Sequence, residues 1–139
     1  MSTIRQLVVP AKHDQLAQIA SFVAHGAEEA GFEEGLVNRI ELAVDEACSN
    51  IIDHAYEGTM GFIQLEVTVE VRGSLKIILI DQGHSFDPNE VPVYKPCQTL
   101  DNARIGGLGL HLMRQAMDDI CFEFNVPGLG NRLTMVKYL

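Results

Sequence analysis

Residues 62–71, FIQLEVTVEV, alternate in polarity almost without a break. Phe62, Gln64, Glu66, Thr68 and Glu70 fall on one side, and Ile63, Leu65, Val67, Val69 and Val71 on the other. Strand side chains point to opposite faces in turn, so this stretch offers one face to a core and one to solvent. Such a strand belongs in an antiparallel sheet. Arg72-Gly73-Ser74 is a tight connection, and LKIILID, residues 75–81, reads as the returning partner. Its run IILI is apolar on both faces, which predicts a central strand. A sheet with one apolar face needs a second layer to cover it.

The covering layer is legible on both sides of the hairpin. TIRQLVV, residues 3–9, is predicted as a short strand ended by Pro10. From about Lys12 to Ala30, Leu16, Ile19, Ala20, Val23 and Ala27 recur at helical spacing, and Gly31 follows as a stop. A second helix is predicted from about Glu33 or Glu34 to Tyr56, with Leu42, Ala43, Ala47, Ile51 and Ala55 as its core stripe. Between Gln82 and Gly107 no periodicity persists, and Pro88, Pro92 and Pro96 forbid a regular helix or central strand across it. A long irregular stretch in a small domain is commonly a lid, here about 84–106. Helix resumes near Leu108, and strands at about 120–125 and 132–138 close the chain. The whole of 1–139 is read as a single domain, with helices on one face of a mixed, mainly antiparallel sheet: a two-layer α+β sandwich.

Charge narrows the function. The formal net charge is −9, which repels a phosphate backbone and argues against direct nucleic-acid binding. A bound nucleotide is still allowed, provided backbone N–H groups, a metal ion or a few local cations meet its phosphates. No apolar run reaches transmembrane length and no signal-type h-region opens the chain, so a cytoplasmic protein without a membrane partner is expected. Cys48, Cys97 and Cys121 are far apart and odd in number, and read as reduced, mostly buried thiols. No histidine shows zinc-type spacing beside another ligand.

Chemistry concentrates in three segments. In ELAVDEACSNIIDHAY, residues 41–56, Glu46, Asn50 and His54 recur at steps of four and share one helical face. Asn50 offers a neutral oxygen of the kind magnesium accepts, and Glu46, a turn earlier, is placed to polarise a hydroxyl or water. The bland alternative is a solvated helix face. In DQGHSFDP, residues 81–88, Asp81 at a strand end is an acceptor for an exocyclic amine, and Gly83 leaves room for a flat base; an ordinary strand-exit turn would look similar. In GGLGLHLM, residues 106–113, glycines open a helix and let the backbone approach an anion, although many glycine-rich helix entries are only structural.

Taken in order, these segments resemble the ATP-binding domain of the superfamily that includes gyrase, histidine kinases and anti-sigma-factor serine kinases. The small bacterial anti-sigma-factor group is the most similar branch. AVDEACSNIIDHAY, DQGHSFDP, GGLGLHLMRQAMDD and GNRLTMVKYL carry the likeness, from about Lys12 to the end. The resemblance implies a Bergerat-type fold holding ATP and magnesium. It implies Asn50 as metal ligand, Glu46 as base or water-positioner, Asp81 at the adenine amino group and Gly83 shaping the base pocket. Gly107 and Gly109 would lie along the phosphates, with Gly106 and Leu108 helping through their backbone, and Thr134 would lie near the adenine. His54 stands where the group often has a histidine, with a structural or pocket-edge role. Kinases of the group often carry an arginine just before the lid glycines; Arg104 is near that place, with Ile105 and Gly106 between it and Gly107, and Lys95 is a second cation in the lid.

The implied function is a serine/threonine protein kinase that phosphorylates a small antagonist (anti-anti-sigma) protein and sequesters a sigma factor. The rival from another class is an ATP-gated protein-binding module without kinase activity. Glu46 favours the enzyme, whereas the displaced arginine favours the module. The group commonly dimerises, and a homodimer through the first strand and helix is compatible with this chain.

Overall fold

Both strands of the hairpin at the centre of the sequence lie in the interior of the sheet, and its second strand is one of the two central ones. In a computed structural model, which describes residues 2–84, 98–99 and 110–139, β1 (Ser2–Pro10), β2 (Phe62–Glu70), β3 (Ser74–Asp81), β4 (Gln98–Thr99), β5 (Asp119–Val126) and β6 (Gly130–Tyr138) form one sheet. Its order is β1-β2-β3-β6-β5-β4, and every described pairing is antiparallel. The helices are α1 (Leu16–Ala30), α2 (Glu34–Asn50) and α3 (Leu110–Ala116). A 3-10 turn, His13–Gln15, precedes α1, and a π-helical turn, Ile51–Ala55, extends α2.

Alternation decides which face is covered. Ile63, Leu65, Val67 and Val69 of β2 and Leu75, Ile77 and Leu79 of β3 are buried in one cluster with Ile19, Val23 and Ala27 of α1, Ile40, Val44 and Ala47 of α2, and Met113 of α3. Burial of each large aliphatic chain contributes about 1.5–3 kcal/mol before the ordering entropy that opposes it. The other face has no helix over it among the described residues, and Ile4, Val8 and Phe62 are exposed there. Gly31 ends α1 at φ 104°, as a left-handed C-terminal residue.

Several local expectations change. Leu42 is 55% exposed and not in the core stripe, because α2 packs through Val37, Ile40, Val44 and Ala47 on a face rotated away from it. Val71 lies past the end of β2 and is exposed. Within the stretch read as irregular, Gln98–Thr99 forms β4 on β5. Cys48 is a buried free thiol, pushed up in pKa by that burial and by nearby Asp45. Cys121 is disulfide-bonded, so the reduced reading fails there: distance along the chain does not set distance in space. Cys97 lies outside the described residues.

Candidate nucleotide site

The end of α2 and the exit of β3 are built against each other. The last turn of the second helix widens to a π-turn, in which the Tyr56 N–H donates to the Ile51 carbonyl over 3.0 Å. Such turns are uncommon and often mark functional positions. Beyond Asn50, steps of four therefore no longer equal one turn. His54 swings out and is exposed, as is Asp53, whose carboxylate meets His13 Nε2 at 2.8 Å. Asn50 stays buried at 6% exposure and Glu46 is half-buried. The widening leaves the Ala55 carbonyl free to accept the His84 N–H over 2.7 Å, which stitches the strand exit to the helix.

Gly83 is required by that stitch. A Cβ there would stand under 3.0 Å from the Ala55 carbonyl, which is backbone and has nowhere to go. The room at Gly83 thus accommodates the helix end. Gly83→Ala is expected to cost about 1–3 kcal/mol. That corresponds to a fall of several degrees in the midpoint of thermal unfolding, measured by calorimetry without ligand.

Tyr56 completes the junction: its hydroxyl donates to the Phe62 carbonyl over 2.7 Å and accepts the Gln82 N–H over 2.9 Å. Nothing in the sequence singles out Tyr56 for this role. Its only signal was an aromatic with a polar tip at a helix end, which is too common to be specific.

Asp81 sits at this junction, 3% exposed. Its Oδ1 accepts the Gly83 N–H and one N–H of the Asn131 amide, each over 2.9 Å. Oδ2 accepts no hydrogen bond among the described residues. Asp81 is one wall of a small cavity of about 10 Å³, whose other walls include Ile51, Phe122, Phe124, Asn131 and Leu133. Ile51 directly follows Asn50, so the helix that carries the amide and the strand that carries the carboxylate meet at one cavity. Phe122 and Phe124 stack at 5.7 Å between ring centroids and give the cavity flat apolar walls. A larger hollow of about 520 Å³ lies beyond Tyr56, among Val8, Met60, Phe62, Gln64 and Ile80.

Burial raises the pKa of Asp81, and the hydrogen bonds from Asn131 and Gly83 pull it partly back. The folded protein therefore keeps this proton to higher pH than the unfolded chain, whose carboxyl titrates near ~3.9. Stability contributed here is full below that value and falls as pH rises through the folded pKa. At neutral pH the buried charge is a cost. Asp81→Asn is expected to raise the apo melting temperature at neutral pH, and the gain should vanish as pH approaches about 4. A pH series of melting curves on the two proteins checks it.

Thr134 is not part of this arrangement. Asp81 pairs with Asn131, and Thr134 stands three residues further on, opposite Ile78. An odd offset along a strand turns the side chain to the other face. Thr134 therefore lies on the uncovered side of the sheet, and the residue facing Asp81 is Asn131. Arg104, Gly106, Gly107, Leu108 and Gly109, with Lys95, lie outside the described residues. Among the described residues no cluster of His, Cys, Asp and Glu forms a protein-only metal cage, and no helix is long and apolar enough to cross a membrane.

The profile of the histidine kinase-like ATPase domain matches residues 9–137. The chain belongs to that family. It is 32% identical over 135 residues to the serine-protein kinase RsbW of Bacillus licheniformis (strain ATCC 14580), covering 94% of this chain and 82% of that one. To the serine-protein kinase RsbW of Bacillus subtilis (strain 168) it is 31% identical over 139 residues, covering 96% and 84%. To that of Bacillus pumilus it is 32% identical over 141 residues, covering 96% and 85%. Family membership makes the α+β sandwich the family's ATP-binding fold, and the junction of Ile51 and Asp81, with Asn50 adjoining, falls within the matched segment.

The residues present suit a magnesium nucleotide. Among the described residues Asp81 Oδ2 accepts no hydrogen bond, and Asn50, which also makes contacts within the protein, carries a neutral amide oxygen of the kind magnesium accepts at the adjoining helix end. Magnesium keeps several waters and takes few protein oxygens, so a protein-only cage is unnecessary.

Proposed function

We propose that this protein is an ATP-dependent serine/threonine protein kinase of the anti-sigma type. It transfers the terminal phosphate of ATP to a serine or threonine on a small antagonist protein, and sequesters a sigma factor when the antagonist is phosphorylated. The observation that carries the reading is the meeting of α2 and β3 at one cavity, with Ile51 and Asp81 in its wall and Asn50 adjoining, inside a chain similar throughout to serine-protein kinases. We place the activity in the cytoplasm, in a single domain of 1–139.

Each group has a task. Asp81 accepts the amino group of the base through Oδ2. Asn50 holds the metal. Magnesium, when bound, offsets charge on the phosphates. Glu46, half-buried one turn before Asn50, orients the substrate hydroxyl and accepts its proton. Gly106, Gly107, Leu108 and Gly109 line the phosphates, and Arg104 meets charge on the transferred group. Half-burial suits Glu46, because a base must be reached by its substrate yet kept from bulk water.

The test is transfer of labelled phosphate from ATP to a small anti-anti-sigma antagonist protein, with magnesium. Label on a serine or threonine of the antagonist supports the kinase. Tight ATP binding without transfer points instead to an ATP-gated binding module, and absence of magnesium-dependent ATP binding ends both readings.

A further inference from the structure

Cys121 of β5 is disulfide-bonded, whereas Cys48 is a buried free thiol. The sequence holds three cysteines, and the third is Cys97, which directly precedes β4. β4 is a two-residue strand on the sheet edge, with Gln98 opposite Phe122 and Thr99 opposite Cys121. So short a strand gains few ladder hydrogen bonds and is marginal by itself. A covalent bond beside it changes that balance.

The place of β4 along the chain gives the bond a consequence. The β3 exit is held as far as His84, whose N–H donates to the Ala55 carbonyl. α3 is held through Met113 and Ala116 in the core. β4 therefore divides the connection between these anchors into residues 85–97 and 100–109. The second stretch carries Arg104, Gly106, Gly107 and Gly109. With β4 seated on β5, the chain leading into the glycines is anchored at Thr99. With β4 released, its nearest anchor on that side is His84. A longer span between anchors loses more entropy when its ends and middle are brought into one arrangement.

We propose that Cys97 and Cys121 form a redox-reversible disulfide that seats β4 on β5 and so sets nucleotide affinity. The inference rests on the nucleotide reading above, because it takes the glycine run to order around phosphates. In a reducing cytoplasm a protein disulfide is a transient, sensing bond more often than a structural one. Cys121 is half-buried, not sealed in the core as Cys48 is, so a small reagent can reach it. The bond forms by exchange with a low-molecular-weight disulfide such as oxidised glutathione. One cysteine thiolate attacks a glutathione sulfur and expels the first glutathione thiolate, which leaves a mixed disulfide. The other cysteine thiolate attacks the protein sulfur of that intermediate and expels the second. Two protein thiols thus give up two electrons and two protons, and two glutathione thiols carry them away. Reduced glutathione reverses both steps.

The experiment equilibrates the full chain in glutathione buffers of graded oxidised-to-reduced ratio, blocks free thiols by alkylation and maps the peptides. A linked Cys97–Cys121 peptide pair, with Cys48 alkylated only after unfolding, is expected to appear and disappear reversibly across the series. ATP dissociation constants, with magnesium, are then measured by calorimetry on the oxidised and reduced forms. The reduced form should bind about fourfold more weakly, the ratio expected when the span before α3 lengthens from 100–109 to 85–109. Cys97→Ser and Cys121→Ser should each bind as the reduced form does and lose all response to the buffer; apo melting curves show that they fold, and either one suffices if the other does not. A bond that never forms, a bond that reduced glutathione does not open, or equal ATP affinity in the two forms overturns the proposal. If neither form binds ATP, the nucleotide reading itself fails and takes the affinity effect with it, a result distinct from ATP bound equally by both.

Discussion

Asn50→Ala is expected to abolish magnesium-dependent ATP binding. Asn50 is buried at the last residue of α2, immediately before the π-turn, so its amide is held by the helix rather than by a mobile loop. A metal ligand fixed in this way loses little entropy on binding. Its removal should cost more than the roughly 10–100-fold that loss of an outer-shell partner costs. The measurement is ATP affinity by calorimetry at rising magnesium. In the unaltered protein affinity should climb with magnesium; in the variant it should stay low and flat. A variant whose affinity still climbs with magnesium would remove Asn50 from the metal site. Apo melting of the same variant reports any separate structural cost, since Asn50 also makes contacts within the protein.

Glu46→Ala is expected to do the reverse, leaving ATP affinity nearly intact and lowering phosphoryl transfer. A positioned base contributes about 10²–10⁴ in rate. That is about 3–5 kcal/mol of barrier. Glu46 lies one turn from Asn50 on the same helix and is half-buried, as a base that meets a substrate hydroxyl would need to be. The decisive measurement is single-turnover transfer to the antagonist at saturating ATP, beside equilibrium binding. Equal losses in both would place Glu46 in nucleotide binding; unchanged transfer would remove it from the chemistry.

The two results are informative as a pair because both residues are on one helix. A general weakening of α2 would affect both functions in both variants. A clean exchange of phenotypes, binding lost in one and transfer lost in the other, requires separate tasks for side chains a turn apart.

Much of this architecture was legible beforehand. The alternation of residues 62–70 and the apolar run of residues 75–81 carry their own placement, since a two-residue period and double-sided apolarity leave few alternatives to a central antiparallel hairpin. Asp81 and Gly83 were legible as a strand exit because Asp and Gly adjoin an apolar strand. The helical spacing of residues 16–30 likewise carried α1, including its stop at Gly31.

Other features depended on contacts between segments far apart in sequence. The π-turn moves His54 out of the line of Glu46 and Asn50, and no residue in Ile51–Ala55 announces it; it is set by how the helix end meets the β3 exit. Leu42 looked apolar enough for the core, yet the side that α2 turns to the sheet is chosen by the summed packing of its whole length. Thr134 and Asn131 differ by three residues, and only strand register tells which faces Asp81. Local sequence thus determined the periodic elements and the polar residues at their ends, because periodicity and turn chemistry act within a few residues. Tertiary structure alone decided which of those polar groups meet, because register, helix rotation and a widened turn are fixed by packing across the whole sheet.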